Sequence, residues 1–143
     1  VTTFTPAPKP VRDTTDYQAK AIEVAAKIAT FDGRCGIPGC RHTREIGWDI
    51  VAHHIIHRKY SNTCAVVENL FPVCVACHSR IHHDEQAFRA WLETVKPGLY
   101  DQLFEMARRI EKVDFTDVYS DLLERLYEML RARRERESGE GKA

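Results

Sequence analysis

The sequence predicts an α+β fold, mostly helical, with one small β unit near its centre. Three observations carry that expectation. Apolar residues recur at helical spacing before residue 32 and again from residue 84 onward. Two short segments rich in β-branched residues lie between them, separated by a polar loop. Two close pairs of cysteines bracket those segments.

The elements follow in order. Residues 1–13 contain Pro6, Pro8 and Pro10 and read as an extended, flexible arm. Over 14–31, Ile22, Ala25, Ala26, Ile28 and Ala29 share a helical face behind the candidate caps Thr14, Thr15 and Asp16, and Asp32-Gly33 ends the helix. Residues 33–47 are turn-rich. Residues 48–56 read as a strand built on Ile50, Val51, Ile55 and Ile56, and 70–75 as a second one, with Pro72 marking an edge. Residues 58–68 form the polar loop between them. A helix starts near Ala76, and Asp84 can cap a continuation to Val95 whose apolar face is Phe88, Trp91 and Leu92. Residues 99–110 form a further helix, and a long one follows Asp114 or Thr116, striped by Phe115, Val118, Leu122, Leu126 and Met129. Residues 14–130 thus make one domain, and the charged tail 131–143 should fray.

Composition narrows the class of protein. At 43% hydrophobic and 29% charged, a folded globular chain is expected. No apolar run approaches the roughly 18–20 residues that span a bilayer, and the stretch from Val1 to Arg12 lacks the apolar segment of a secretory signal. The expectation is a cytoplasmic protein with no membrane partner. The formal net charge is zero, but its distribution is uneven. Residues 33–83 carry Arg34, Arg41, Arg44, Arg58, Lys59 and Arg80 against Glu45, Asp49 and Glu68, whereas residues 84–143 carry an acidic excess. A basic centre suits an anionic partner.

The five cysteines are odd in number, which argues against a disulfide framework. Four of them, Cys35 with Cys40 and Cys74 with Cys77, form two knuckle-like pairs able to grip one tetrahedral ion from two sides. Sulfur-only tetrahedral sites select zinc or iron, and zinc fits best. Cys64 stands alone in the polar loop as a bystander.

The histidines supply a second constellation. His53 and His54 are neighbours on the first predicted strand, so they should point to opposite sides. His78 and His82 are four apart on a helix, which puts both imidazoles on one face, able to share an ion. His57 and His83 read as solvated or structural.

Taken together, Ala52-His53-His54-Ile55-Ile56, then Glu68-Asn69-Leu70, then Cys74-Val75-Ala76-Cys77-His78 resemble the signature of the HNH endonucleases, with the three name-giving residues at His54, Asn69 and His78. The resemblance covers about residues 33–83. It implies a ββα-metal motif, a hairpin followed by a helix, flanked here by an N-terminal helix and C-terminal helices. The zinc-knuckled subset of that family carries cysteine pairs where Cys35/Cys40 and Cys74/Cys77 stand. The histidine set looks most like the colicin-type DNase branch, which lacks the cysteine pairs, so the chain combines features of two branches. The segment from Phe88 to Tyr100 is similar to phage and prophage members.

The resemblance implies roles. His54 would be the general base that deprotonates water, and Asn69 would fix the loop that orients it. His53, His78 and His82 would hold a catalytic divalent ion: Mg²⁺, Mn²⁺, Ni²⁺ or Zn²⁺. His stands at residue 53 where many members have Asp, and a neutral donor set favours the softer ions of that group. Arg58, Lys59 and Arg80 are candidates for contacts to flanking phosphates. The expected activity is hydrolysis of DNA phosphodiester bonds, with RNA also possible, in a bacterial or phage-infected cell. The C-terminal helices are expected to pack on the motif, pair with another copy or dock a protein partner. The competing expectation is a non-catalytic zinc-binding module that keeps the motif as a scaffold for nucleic acid or protein.

Overall fold

A computed structural model of the chain describes residue 3 and residues 14–140. Apart from Thr3, the arm expected over 1–13 lies outside the described residues. The fold is α+β: helices α1 (Thr14–Ala29), α2 (Val75–His83), α3 (Glu85–Val95), α4 (Leu99–Arg108) and α5 (Phe115–Glu140) surround a hairpin of β1 (Ile50–His54) and β2 (Leu70–Cys74).

The hairpin is antiparallel and two-stranded, with Ile50 opposite Cys74, Ala52 opposite Pro72 and His54 opposite Leu70. Both strands are therefore edges, which is why Pro72 is tolerated. The strands are shorter than the apolar run suggests. Trp48 leaves the strand to stack on His42, and Ile55 and Ile56 pass into the loop, Ile56 with its side chain buried, although the Ile55 amide still donates to the Asn69 carbonyl at 2.9 Å.

Two apolar clusters flank the hairpin. In one, Ile50, Phe71 and Val73 pack with Cys74 and Cys77, and with Ile81, Phe88 and Leu92 from α2 and α3. In the other, Ala21 and Ala25 of α1 pack with Cys64, Ala65 and Leu70, and Phe115, Val118 and Leu122 of α5 cover them. The loop between the strands is therefore not merely polar. Its Thr63 and Cys64 are fully buried, because α1 closes over them.

Asp84 separates α2 from α3 and serves both. Its amide donates to the carbonyls of Arg80 and Ile81, closing α2, while its carboxylate accepts from the Ala87 amide at 3.1 Å, capping α3. Gly98, with φ of 81°, makes the left-handed turn into α4.

The tail departs from expectation. α5 runs to Glu140 instead of fraying from residue 131. Arg133 explains part of this: its guanidinium donates to the Phe31 carbonyl at 2.7 Å and lies 3.7 Å from the centre of the Phe31 ring, tying α5 to the end of α1.

Candidate metal centres and the trench beside them

The turn-rich segment before β1 is a small knuckle. Backbone hydrogen bonds from Cys35 to His42 and from Arg44 to Gly33 close it, and the Cys40 amide donates to Ile37. Gly39, at φ of 79°, provides the left-handed turn before Cys40. Gly36 has a steric reason to lack a side chain. A Cβ there would lie 2.8 Å from the Phe71 ring and 3.0 Å from the Pro72 carbonyl, to which the Gly36 amide donates. The knuckle is thereby laid directly onto β2.

This brings Cys35, Cys40, Cys74 and Cys77 together, their sulfurs all within 4.8 Å of one another. Cys40 and Cys74 are 3.8 Å apart. Four sulfurs at about 2.3 Å from a common centre stand about 3.8 Å from each other, so the spacing fits a tetrahedral thiolate site. The thiols can hold a metal ion such as zinc. Their protonation is unequal. Burial pushes the Cys74 thiol up, but the Cys77 amide, His42 and the neighbouring thiols together outweigh it and bring Cys74 down to about 6. Burial and the crowding of the other sulfurs push Cys77 up, and burial does the same to Cys35. One thiolate forms easily and its neighbours resist, a conflict that a cation among them relieves.

His42 joins this centre, although sequence reasoning passed it over. Its Nδ1 lies 3.2 Å from the Cys74 sulfur, and its ring stacks on Trp48 with centroids 3.6 Å apart. A histidine two residues beyond Cys40 was the available signal. The Cys74 sulfur also accepts from the Cys77 amide and so caps α2. The start of the helix that carries His78 and His82 is thus part of the cysteine centre.

A second cluster lies across the hairpin. The ligand atoms of His53, His78 and His82 are also within 4.8 Å of one another, with Nε2 of His78 3.0 Å from Nε2 of His82. Three imidazoles can hold a metal ion. The two adjacent histidines diverge as strand geometry requires. His53 is buried, its ring edge-on to Phe88 at 5.2 Å, whereas His54 turns to the loop, where its Nε2 is 3.0 Å from the Cys64 carbonyl. Burial, then the other histidines, push His53 down to about 4, leaving it neutral and ready as a donor at neutral pH. Burial and the nearby His78, His82 and Phe88 rings leave His53 little room for another rotamer. On the far side of His82, the Glu85 carboxylate is 3.6 Å from Nδ1, a carboxylate that can orient the ring.

The bond from His54 to Cys64 fixes a tautomer. A carbonyl only accepts, so Nε2 carries the hydrogen and Nδ1 is left with its lone pair. Burial lowers the pKa of His54; the Cys64 carbonyl offsets this in part, and Arg58 and His57 add to the lowering. Cys64 is therefore more than a bystander. Its backbone holds His54, and its own buried sulfur receives the Gln18 amide at 3.6 Å.

Asn69 stands behind this arrangement, fully buried. Its Oδ1 accepts from the Ile56 amide at 2.7 Å, and its Nδ2 donates to the carbonyls of Ile56 and Thr63, both at 3.0 Å. One side chain thus pins both ends of the segment that presents the Cys64 carbonyl.

The histidines open into a trench of ≈ 760 Å³ floored by β1, with α1 on one flank and α2, α3 and the start of α4 on the other. Arg58 lines it, as do His57, Arg89 and Tyr100, none of which the sequence had assigned to a site. Lys59 is exposed, its ammonium 5.2 Å from the Tyr60 ring. Arg80 is placed elsewhere: it lies beside Ile37, Pro38 and Cys77 on the cysteine side of α2, two residues away from the His78 face.

Comparisons of the chain with models of protein families, with curated proteins and with solved structures found no match. What fold and site define is an α+β protein with two adjoining side-chain clusters able to hold metal, one of thiols and one of imidazoles. No helix among the described residues is long and apolar enough to cross a membrane.

Proposed function

We propose that the chain is a metal-dependent endonuclease of the HNH type that hydrolyses DNA phosphodiester bonds. The observation that carries this reading is His54 held by the Cys64 carbonyl, with Nδ1 left with its lone pair, lining the same trench as the three imidazoles of His53, His78 and His82. A base and a Lewis-acid position in one open trench are what phosphodiester hydrolysis needs.

In this reading His54 takes a proton from water at Nδ1, and the hydrogen bond from Nε2 to Cys64 stabilises the imidazolium that forms. Asn69 keeps the loop, and with it that carbonyl, in place. His53, His78 and His82 would hold a divalent ion, which when bound supplies positive charge for a phosphate oxygen and for the leaving oxygen. Three neutral donors suit Mn²⁺, Ni²⁺ or Zn²⁺ as well as Mg²⁺. Glu85 orients His82. Arg58, and Lys59 beside it, supply charge for flanking phosphates; the position of Arg80 supports no such role at this trench.

The test is cleavage of supercoiled plasmid with each of the four ions, together with metal analysis. Nicking that a chelator blocks, and that His54→Ala abolishes while metal content is kept, is the expected result. Binding without cleavage under every ion would favour the non-catalytic module instead, and a His54→Ala protein that cuts at full rate would remove His54 from the chemistry.

A further inference from the structure

The trench is wider than the chemistry at His54 requires, and its lining is mixed. Ile22, Ala26, Val51, Ile55 and Leu92 give it apolar walls. Its cations are arranged differently from ordinary surface charges. The Arg89 guanidinium lies 3.8 Å from the centre of the half-buried Tyr100 ring. A guanidinium held by its face keeps its N–H edge free for a phosphate. Among the described residues neither Arg89 nor Arg58 forms a salt bridge with a carboxylate, whereas Lys27, also on the trench, is paired with Glu23. Two guanidiniums without a carboxylate partner thus line the trench together with the apolar residues and the histidines.

A nucleic-acid duplex gains little from the apolar walls of such a trench. Its bases are paired and stacked, and the sugars and phosphates on its outside lose hydration against aliphatic side chains. A strand without a partner can turn a base into the trench and leave its phosphates to the arginines. A volume of ≈ 760 Å³ is within the range of pockets that enclose small organic groups. We propose that the trench binds a single-stranded or locally unpaired DNA segment, with Arg89, stacked on Tyr100, and Arg58 on the phosphates and a base against the apolar wall. This rests on the nuclease reading above and names its substrate class. Arg89 touches substrate; Tyr100 is a positioning residue that holds it.

The experiment measures binding of a fluorescent oligodeoxynucleotide to the metal-loaded His54→Ala protein by anisotropy. The same sequence is used as a single strand, as a blunt duplex and as a duplex with a central unpaired bubble. Single strand and bubble should bind about tenfold or more tightly than the duplex, as base stacking commonly provides. Arg89→Ala, and separately Gln86→Glu, which adds a negative charge on the exposed trench-facing side of α3, should each weaken single-strand binding about fivefold with metal content and melting temperature unchanged. Tyr100→Leu should weaken it less, and Arg89→Lys should not restore it fully, because an ammonium does not stack. In parallel, wild-type protein is assayed for cleavage of all three substrates. Equal binding and equal cleavage of duplex and single strand would overturn this inference and leave the nuclease reading standing. Cleavage of none of them under any ion, with single strands still bound preferentially, would overturn the nuclease reading and keep the trench as a single-strand site. Full affinity in Arg89→Ala and Gln86→Glu would overturn the placement of the strand.

Discussion

Removing the Asn69 side chain tests the framework of the site independently of catalysis. In Asn69→Ala the buried Ile56 amide loses its acceptor, and an unpaired buried donor costs about 1–3 kcal/mol. The carbonyls of Ile56 and Thr63 each lose a bond whose net value is about 0.5–1.5 kcal/mol. Ile56 and Thr63 are themselves buried, and Asn69 is fully enclosed, so water has no ready access to the vacated groups. The loss should total roughly 2–6 kcal/mol, which at a urea dependence of about 2 kcal/mol per M lowers the unfolding midpoint by roughly 1–3 M. Asn69→Asp separates shape from hydrogen bonding. It keeps the acceptor for Ile56 but turns a donor into an acceptor facing two carbonyls, so it should be at least as damaging at neutral pH. The assay is urea unfolding of the zinc-loaded protein, followed by circular dichroism. A midpoint shift below about 0.5 M for Asn69→Ala, equivalent to about 1 kcal/mol, would refute the view that this side chain holds the loop together.

Three further outcomes follow from the cysteines. Cys77→Ser should cost the thiol centre its metal and also weaken metal binding at the histidines, because the same turn of α2 carries Cys77 and His78 and is capped by the Cys74 sulfur; metal titration of both sites is the measurement, and an undisturbed histidine site in a folded variant would break the link. Cys64, buried and with its thiol pushed up from an ordinary 9.0, should stay unreactive toward alkylating reagents at neutral pH even after a chelator exposes the other four. A raised folded-state value means that its stabilising contribution is present below pH 9.0 and is lost as pH rises through the folded value, so Cys64→Ala should show a smaller alkaline loss of melting temperature than the parent.

What the sequence makes legible is what repeats locally. The apolar face of α1, the strand–loop–strand order and the shared face of His78 and His82 all follow from spacing within a single element. The cysteine pairs are equally legible, since each fixes two donors over a few residues. What stays hidden depends on segments far apart in the chain meeting. Arg133 reaches the Phe31 carbonyl across 102 residues, and no local pattern distinguishes it from the other arginines of a charged tail. Cys64 sits in a loop of polar neighbours and is buried only because α1 and α5 cover it. Tyr100 looks like a core aromatic until Arg89, from another helix, is laid on its face. Arg80 errs in the opposite direction: it lies near His78 and His82 in sequence, but its position on α2 places it with Ile37 and Pro38 on the other side.

The two clusters share α2, yet their donors dictate different chemistry. Four thiolates around a divalent ion would give a site of net negative charge, and here Cys74 and Cys77 are almost wholly buried, so such a site is electron-rich and largely shut off from solvent. Three neutral imidazoles leave the charge of a divalent ion uncompensated, and His82 is exposed at the trench, so that position can attract and polarise an anionic group. The helix start that joins them therefore does more than save residues. Because the Cys74 sulfur caps α2 and is also one of the four clustered thiols, the placement of His78 depends on a largely buried centre. A rigid, inaccessible anchor one residue from an open ligand is a direct way to hold an imidazole to within a fraction of an ångström while leaving its ring nitrogen facing the trench.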